Sequence, residues 1–335
     1  MPTRVRSHCK INLGLRIGPP RPDGYHSLAT VYQTLALHDI VTVSATLAPS
    51  TTITLTSNHH GVPTDSTNTA WRMVAGALDL LGLAACVEIH IQKDLPVQGG
   101  LGAGSGNAAA ALLGLQRELN KELSSDQALT LAARVGSDVP LFLVGGTTWG
   151  HNRGEQVSPL PDLPPTPCLV VVPSHGVSTP QAFRDWDAQF QAPPASAPAA
   201  SLLSTASARL EQLSHAVAGV FAAHGTSGVS CQAGDLAGDH LLALVRTGIE
   251  NDFEQVVFPQ YPLLREIKRQ LAGTGTGSPA IFAALSGSGS ALFGLYSSPR
   301  DAEAAQQRVL ASAPDAQVLA TLTLPRAAYW GSIFA

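Results

Sequence analysis

Apolar and polar positions alternate with a period of two from Val5 to Ile17, which predicts a strand, with a bend at Gly14. Cys9, Ile11 and Leu13 share one of its faces, and Lys10 and Asn12 share the other. Two polar groups therefore look out together from an otherwise apolar strand, and periodicity alone leaves open whether that face is solvated or functional. Val31 to Val43 and Thr51 to Ser57, rich in Thr, Val, Ile and Leu, predict strands of an antiparallel sheet, and Ala84 to Gln92 predicts another strand. Thr67-Asn68-Thr69-Ala70 opens a helix to about Leu81, with Thr67 or Asn68 as its cap and Gly82 as its stop. Ser124-x-x-Gln127 is a capping box for a helix ending at Gly136. Further on, Cys168 to Val172 reads as a strand, and Ala206 to Ala223 and Pro262 to Leu271 as helices. A strand at Ala291 to Tyr296, a helix at Pro299 to Leu310 and a strand at Gln317 to Leu324 close the chain as a β-α-β unit.

Between the strand ending at Gln92 and the alanine-rich run Ala108 to Leu113 lies Pro96-Val97-Gln98-Gly99-Gly100-Leu101-Gly102-Ala103-Gly104-Ser105-Gly106-Asn107. Glycines this dense leave backbone amides bare and free to take positive φ, and the following helix adds unpaired N–H groups and a positive dipole end. Such a place suits a phosphate, although a glycine cluster before a helix also serves as a plain tight turn. The G-x-x-x-x-G-K-[ST] pattern fails, because no lysine stands in or just after the loop. Gly104-x-Gly106-x-x-Ala109 satisfies the permissive dinucleotide pattern, but its context argues against that reading: Lys93 to Gly102 separates strand from turn, and Asp126 has a helical context.

Two other stretches carry chemistry. Pro19 to Gly24 is a rigid turn that delivers Tyr25 and His26 to its far end, either as a base-recognition pair or as a core tyrosine beside a surface histidine. Gly136-Ser137-Asp138-Val139-Pro140 fixes Asp138 between a helix stop and a proline, where an aspartate serves as a turn residue or as a catalytic carboxylate.

Composition narrows the partners. Charged residues make up only 13% of 335, about half the usual share, and the net charge is −4, so nothing favours a nucleic acid or a membrane surface. Small solutes are the expected ligands. Cys9, Cys86, Cys168 and Cys231 are scattered without a C-x-x-C, which fits buried thiols in a reducing cytoplasm and argues against structural zinc. The N-terminus leads into a strand rather than a signal segment, and no run of about 18 apolar residues occurs. The length suits two domains, and the proline-rich Pro159 to Pro167 marks the boundary, giving 1–160 and 161–335. Gln191 to Leu203, low in everything but Ala, Pro and Ser, reads as a surface insertion without fixed structure.

Two of these motifs, the strand with Lys10 and the Pro96 to Asn107 loop, together with a second glycine turn at Leu285-Ser286-Gly287-Ser288-Gly289-Ser290, resemble the superfamily of galactokinase, homoserine kinase, mevalonate kinase and phosphomevalonate kinase. Within it, Lys10-Ile11-Asn12-Leu13 with Asp23-Gly24-Tyr25-His26, Gly136 to Pro140, Gly154-Glu155 and Val177 to Pro180 are similar to the 4-diphosphocytidyl-2-C-methyl-D-erythritol kinase family. The likeness spans nearly all the chain outside about Asp187 to Gly248. It implies a two-domain α+β small-molecule kinase fold with the active site in the interdomain cleft. It also implies transfer of the γ-phosphoryl of ATP to the substrate's 2-hydroxyl, a step of the non-mevalonate isoprenoid route, with Mg²⁺ as cofactor.

Carried over, Asp138 is the catalytic base and Lys10 its charged partner, while Asn12 positions the substrate. Tyr25 and Phe183 sandwich cytosine, and His26 reads its edge. Pro96, Gly99, Gly100, Leu101, Gly102, Ala103, Gly104, Ser105, Gly106 and Asn107 wrap the triphosphate, with Asn68 and Lys93 at the nucleotide end. The chain departs from the family pattern at Cys9, usually alanine, at Ala103, often glycine, and at Gly106, where a second serine is usual. Ser105 is then the one side-chain hydroxyl of that pair left for Mg²⁺. Tyr25, His26 and Phe183 speak against another small-molecule kinase of the superfamily. Lys10 and Asp138 speak against a nucleotide-binding regulator without catalysis.

Overall fold

β1 (Thr3–Pro20) and β2 (His26–Leu47) pair antiparallel along most of their length, joined by a turn in which Gly24 takes φ +78°. The register shifts between Asn12 and Gly14, where the bend was expected. β3 (Thr52–Ser57), α1 (Thr69–Leu81) and β4 (Ala85–Gln92) follow, and β4 lies beside both β2 and β3. The structure, a computed structural model, describes residues 1–97, 99–174, 176–191, 199–222 and 233–335. Cys231 and residues 192–198 of the expected insertion lie outside the described residues.

One strand direction differs from expectation: β3 pairs parallel with β4, not antiparallel. The reason is the helix between them, because α1 carries the chain back across the sheet and returns it in the same direction. Asn68 is the N-cap of α1, its Oδ1 accepting from the Ala70 N–H at 2.8 Å, and Gly82 stops the helix in the left-handed region. α2 (Ala103–Leu119) and α3 (Ser125–Val135) lead through a 3₁₀ turn (Pro140–Leu143) to β5 (Thr147–Asn152) and β6 (Gln156–Pro159). The capping box of α3 forms as expected between Ser124 and Gln127.

β1 to β6 make one sheet, and its helical layer is α1, α2 and α3. Val41, Val43, Val87 and Ile89 of the sheet pack on Met73, Leu112 and Phe142, each large side chain contributing roughly 1.5–3 kcal/mol by leaving water. Gly114 lets α2 lie close, since a Cβ there would come within 2.6 Å of a Val43 methyl.

β7 (Pro167–Val172) begins the second sheet, followed by α4 (Thr179–Gln191), α5 (Ala199–Ala222), α6 (Ala233–Arg246), α7 (Glu254–Gln260) and α8 (Pro262–Ala272). The hairpin of β8 (Phe282–Leu285) and β9 (Leu292–Leu295), then α9 (Pro299–Ser312) and β10 (Gln317–Leu322), complete a four-stranded sheet of order β10-β7-β9-β8. α10 (Arg326–Ser332) returns to the first layer, where the Tyr329 hydroxyl donates to the Phe142 carbonyl at 2.6 Å. The inward face of β1, Cys9, Ile11 and Leu13, joins Leu213 of α5, Leu244 of α6 and Phe293 of β9 in one cluster, so the two halves share a core.

Two further expectations are corrected. Residues 199–203, read as lacking fixed structure, begin a 24-residue helix, since alanine and leucine are strong helix formers whatever the complexity of the sequence. Cys9 and Cys168 are buried, and burial pushes the Cys9 thiol up to about 12, but Cys86 is exposed because it falls on an outward position of the alternating β4. Among the described residues no helix is long and apolar enough to cross a membrane.

Candidate active site

The glycine loop is pinned at its entry by a carboxylate that sequence reading missed. Asp39, fully buried on β2, accepts from the Lys93 ammonium at 2.6 Å and from the N–H groups of Asp94 at 2.9 Å and Leu95 at 2.7 Å. Gly99, Gly100 and Gly102 then take φ +152°, +79° and +69°, a region that favours glycine. Gly102 is the N-cap of α2 and offers no side-chain acceptor, so the helix's first N–H groups are free for a ligand. They open on a cavity of about 380 Å³.

Pro96, Gly99 to Ser105 and Asn107 line this cavity, together with Asn68 and Lys93. Gly106 does not line it. One turn after Gly102, it points at β1, where an added Cβ would lie 2.6 Å from the His8 carbonyl oxygen and 2.9 Å from Ser7 Oγ. Its lack of a side chain is a packing requirement, with Ser7 Oγ donating to Asn107 Oδ1 at 2.6 Å just beside it.

A second cavity, about 600 Å³, shares Gly100 with the first. Lys10, Asn12 and Asp138 meet on its floor. The Lys10 ammonium donates to Asn12 Oδ1 at 2.6 Å and to the Gly100 carbonyl at 2.8 Å, and lies 3.5 Å from Asp138 Oδ2. The Lys10 side chain is 3% exposed against 33% for Asp138, so the cation is held inside while the carboxylate faces the cavity. That excludes the solvated-face reading of Lys10 and Asn12. Asn12 is oriented in turn by donating to Thr30 Oγ1 at 2.8 Å. Tyr32, directly across from Asn12 on β2, donates its hydroxyl to Asp138 Oδ1 at 3.1 Å. Burial, reinforced by the Asp138 charge, raises the Tyr32 phenol well above its ordinary range, so it remains a donor.

Tyr25, His26 and Phe183 line the same cavity. Tyr25 is 53% exposed and lies under the Arg153 guanidinium, 4.8 Å from its ring centre. His26 is buried and stacks on Phe183, with ring centres 5.0 Å apart and planes inclined by 23°. Phe183 also meets the edge of Phe253 at 4.9 Å. The three expected residues thus come together, with an imidazole already lying against the phenyl ring.

The second glycine turn closes the site from the other half. Asn251 donates to the carbonyls of Leu285 at 2.8 Å and Gly287 at 2.7 Å, fixing the turn's shape. Ser286 Oγ donates to the Gly100 carbonyl at 3.0 Å, and a Cβ on Gly100 would fall 2.0 Å from the Ser286 carbonyl oxygen. Only glycine allows the two loops this close. Lys10 and Ser286 converge on one carbonyl, so the phosphate loop, the buried cation and the second half are mechanically linked. Among the residues missed from sequence, Tyr32 could have been found as the partner of Asn12 in a β1–β2 register, and Asp39 as a lone carboxylate in an apolar strand.

Residues 68–146 match the family model described as the GHMP kinases N terminal domain, and residues 236–315 match the GHMP kinases C terminal model. A 4-diphosphocytidyl-2-C-methyl-D-erythritol kinase of Prosthecochloris aestuarii is 34% identical over 92% of this chain and 94% of its own. One from Moorella thermoacetica is 34% identical over 93% and 96%. A crystal structure of a 4-(cytidine 5'-diphospho)-2C-methyl-D-erythritol kinase superposes with a TM-score of 0.66 at 28% identity, covering 96% of this chain and 99% of that one. A homoserine kinase from Cytophaga hutchinsonii superposes equally well, TM-score 0.67, at only 17% identity. Backbone shape therefore does not separate the members of this fold.

Proposed function

The chain belongs to the 4-diphosphocytidyl-2-C-methyl-D-erythritol kinase family of the GHMP kinases, and on that premise we propose how its residues divide the transfer of the γ-phosphoryl of ATP to the substrate's 2-hydroxyl. ATP lies in the first cavity, its phosphates on the bare N–H groups of the loop and the start of α2, its nucleoside end toward Asn68 and Lys93. The cytidine substrate lies in the second. The acceptor oxygen and the γ-phosphorus meet at Gly100, where the cavities join.

Asp138 takes the proton of the 2-hydroxyl as that oxygen bonds to the γ-phosphorus and the bond to the β-phosphate oxygen breaks, releasing ADP. Lys10 offsets the charge gathering on the transferred group, and Asn12 and Tyr32 hold the cation and the carboxylate in place. The observation that carries this reading is the cluster of Lys10, Asn12, Tyr32 and Asp138 at that junction. Phosphoryl transfer asks a protein mainly for position and charge, and these four supply both.

Mg²⁺ takes hard oxygen donors and relies on nucleotide phosphates more than on a protein cage. Ser105, which lines the first cavity, fits that donor set and would hold the ion, whose part is to neutralise phosphate charge. Residues before 108 build the nucleotide end, and both halves, 1–160 and 161–335, build the substrate end. The scattered thiols support a cytoplasmic setting. ADP release measured with the cytidine substrate, homoserine and mevalonate in turn tests the reading. Turnover with the first and none with the others is expected; comparable turnover of either of the others overturns it.

A further inference from the structure

Thr179, Phe183 and Asp187 recur every four residues on α4, so they share one face of the helix, and all three line the second cavity. Thr179 is tied to Ser288 of the second glycine turn at 2.6 Å. Phe183 carries the ring of His26. Asp187 reaches the same histidine by its edge, with Oδ1 2.7 Å from His26 Nε2. The neighbouring carboxylate, Asp185, is occupied differently, by Gln181 Nε2 at 2.7 Å and Gln260 Nε2 at 2.9 Å.

A neutral imidazole carries one N–H and one bare nitrogen, and its neighbours decide which is which. A carboxylate only accepts, so the nitrogen facing Asp187 must bear the hydrogen. That leaves Nδ1 as an acceptor. We infer that Asp187 is a positioning residue that holds His26 in the Nε2–H form and so sets the site to recognise a pyrimidine carrying an exocyclic amino group over one carrying a carbonyl there. The cytosine amino group donates to a bare nitrogen, whereas the uracil O4 would set one lone pair against another. This rests on the reading that His26 faces the edge of the base.

The test compares kcat/KM for the cytidine substrate and its uridine counterpart in wild type, Asp187→Asn, Asp187→Glu and His26→Ala, alongside the ¹⁵N signals of the His26 ring. An asparagine can turn its amide and donate to Nε2, which releases the tautomer. In Asp187→Asn the preference for cytidine is expected to fall about tenfold, through KM rather than kcat, with Nδ1–H signal appearing; Asp187→Glu, which still only accepts, recovers much of it. A preference that falls in His26→Ala but holds in Asp187→Asn overturns the role of Asp187 and leaves the base-edge reading standing. A preference unchanged in His26→Ala removes both. Should Asp187→Asn fold poorly, the wild-type spectrum decides alone, because an Nδ1–H form with substrate bound contradicts the inference.

Discussion

The two cavities share Gly100, yet they are made of different material. The nucleotide cavity centres on one continuous stretch, Gly99 to Ser105, where glycines at positive φ and a helix start without a side-chain cap offer bare N–H groups. The substrate cavity draws side chains from β1, β2, α4, the β8–β9 turn and the junction after α3, and three of them are oriented by a partner: Lys10 by Asn12, Asp138 by Tyr32, His26 by Asp187. A triphosphate is recognised by charge and shape, which a short continuous loop can provide. A particular hydroxyl and a particular base need donors and acceptors fixed in direction, and those come from distant parts of the chain. Local sequence should therefore dominate the first cavity and tertiary contacts the second.

Asp138→Asn is the strongest test of that division. On the proposed role the carboxylate serves the acceptor hydroxyl and not the nucleotide, so turnover should fall by roughly 10²–10⁴ while ATP binding stays near wild type. Rapid-quench rates and ATP calorimetry on the same variant check it. A rate within tenfold of wild type would remove Asp138 from its role.

Next in size is a side chain placed in the nucleotide cavity. Gly104 has helical backbone, and the nearest atom to an added Cβ outside its own helix backbone is Thr69 Oγ1 at 3.8 Å, so Gly104→Val is accommodated by the protein and fills the space proposed for phosphate. A steric loss of about 1–3 kcal/mol should weaken ATP roughly tenfold to hundredfold and leave substrate affinity alone. Gly102→Val is the contrasting case, because φ is +69° there and a Cβ would lie 3.1 Å from both Lys10 Cγ and Phe142 Cζ. It should disturb both ligands. If the two variants gave the same profile in calorimetry, the cavities would not be separable as described.

On the substrate side Tyr25→Ala is cleaner than Phe183→Ala, since Phe183 also packs on Phe253 and against the core of the second half. Losing one stacking ring costs about 1–3 kcal/mol, so KM for the cytidine substrate should rise by roughly an order of magnitude. ATP affinity should not follow. An unchanged KM would put the base elsewhere.

The division also describes what the sequence disclosed. The glycine loop, the α1 cap at Asn68 and the α3 capping box are local patterns, and each appears where expected. The period of two put Lys10 and Asn12 on one face, and they are found hydrogen-bonded there. By contrast Asp39 meets Lys93 across 54 positions and Asp187 meets His26 across 161, separations at which periodicity carries no signal. The direction of β3 depended on where α1 would carry the chain. α7 went unread because Pro259 inside it and Pro262 after it look like breaks in a helix. Gly106 was assigned to phosphate because it belongs to the loop in sequence, although the turn of α2 aims it at β1.

The smallest expected effect concerns Arg153, half-buried over the ring of Tyr25 and paired loosely with Glu155 at 3.8 Å. A guanidinium at an open site contributes about 0.5–1 kcal/mol to such a contact. If its work is to steady Tyr25, Arg153→Gln should raise KM for the substrate only about two- to fivefold, with kcat and ATP affinity unchanged. The double variant with Tyr25→Ala should then lose little beyond Tyr25→Ala alone, because the residue being steadied is already gone. A much larger single effect that persists in the Tyr25→Ala background, and that shrinks with added salt, would mean that Arg153 touches the charge of the substrate itself. The substrate cavity would then rely on charge as well as on directed hydrogen bonds, and its contrast with the nucleotide cavity would be narrower by that one residue.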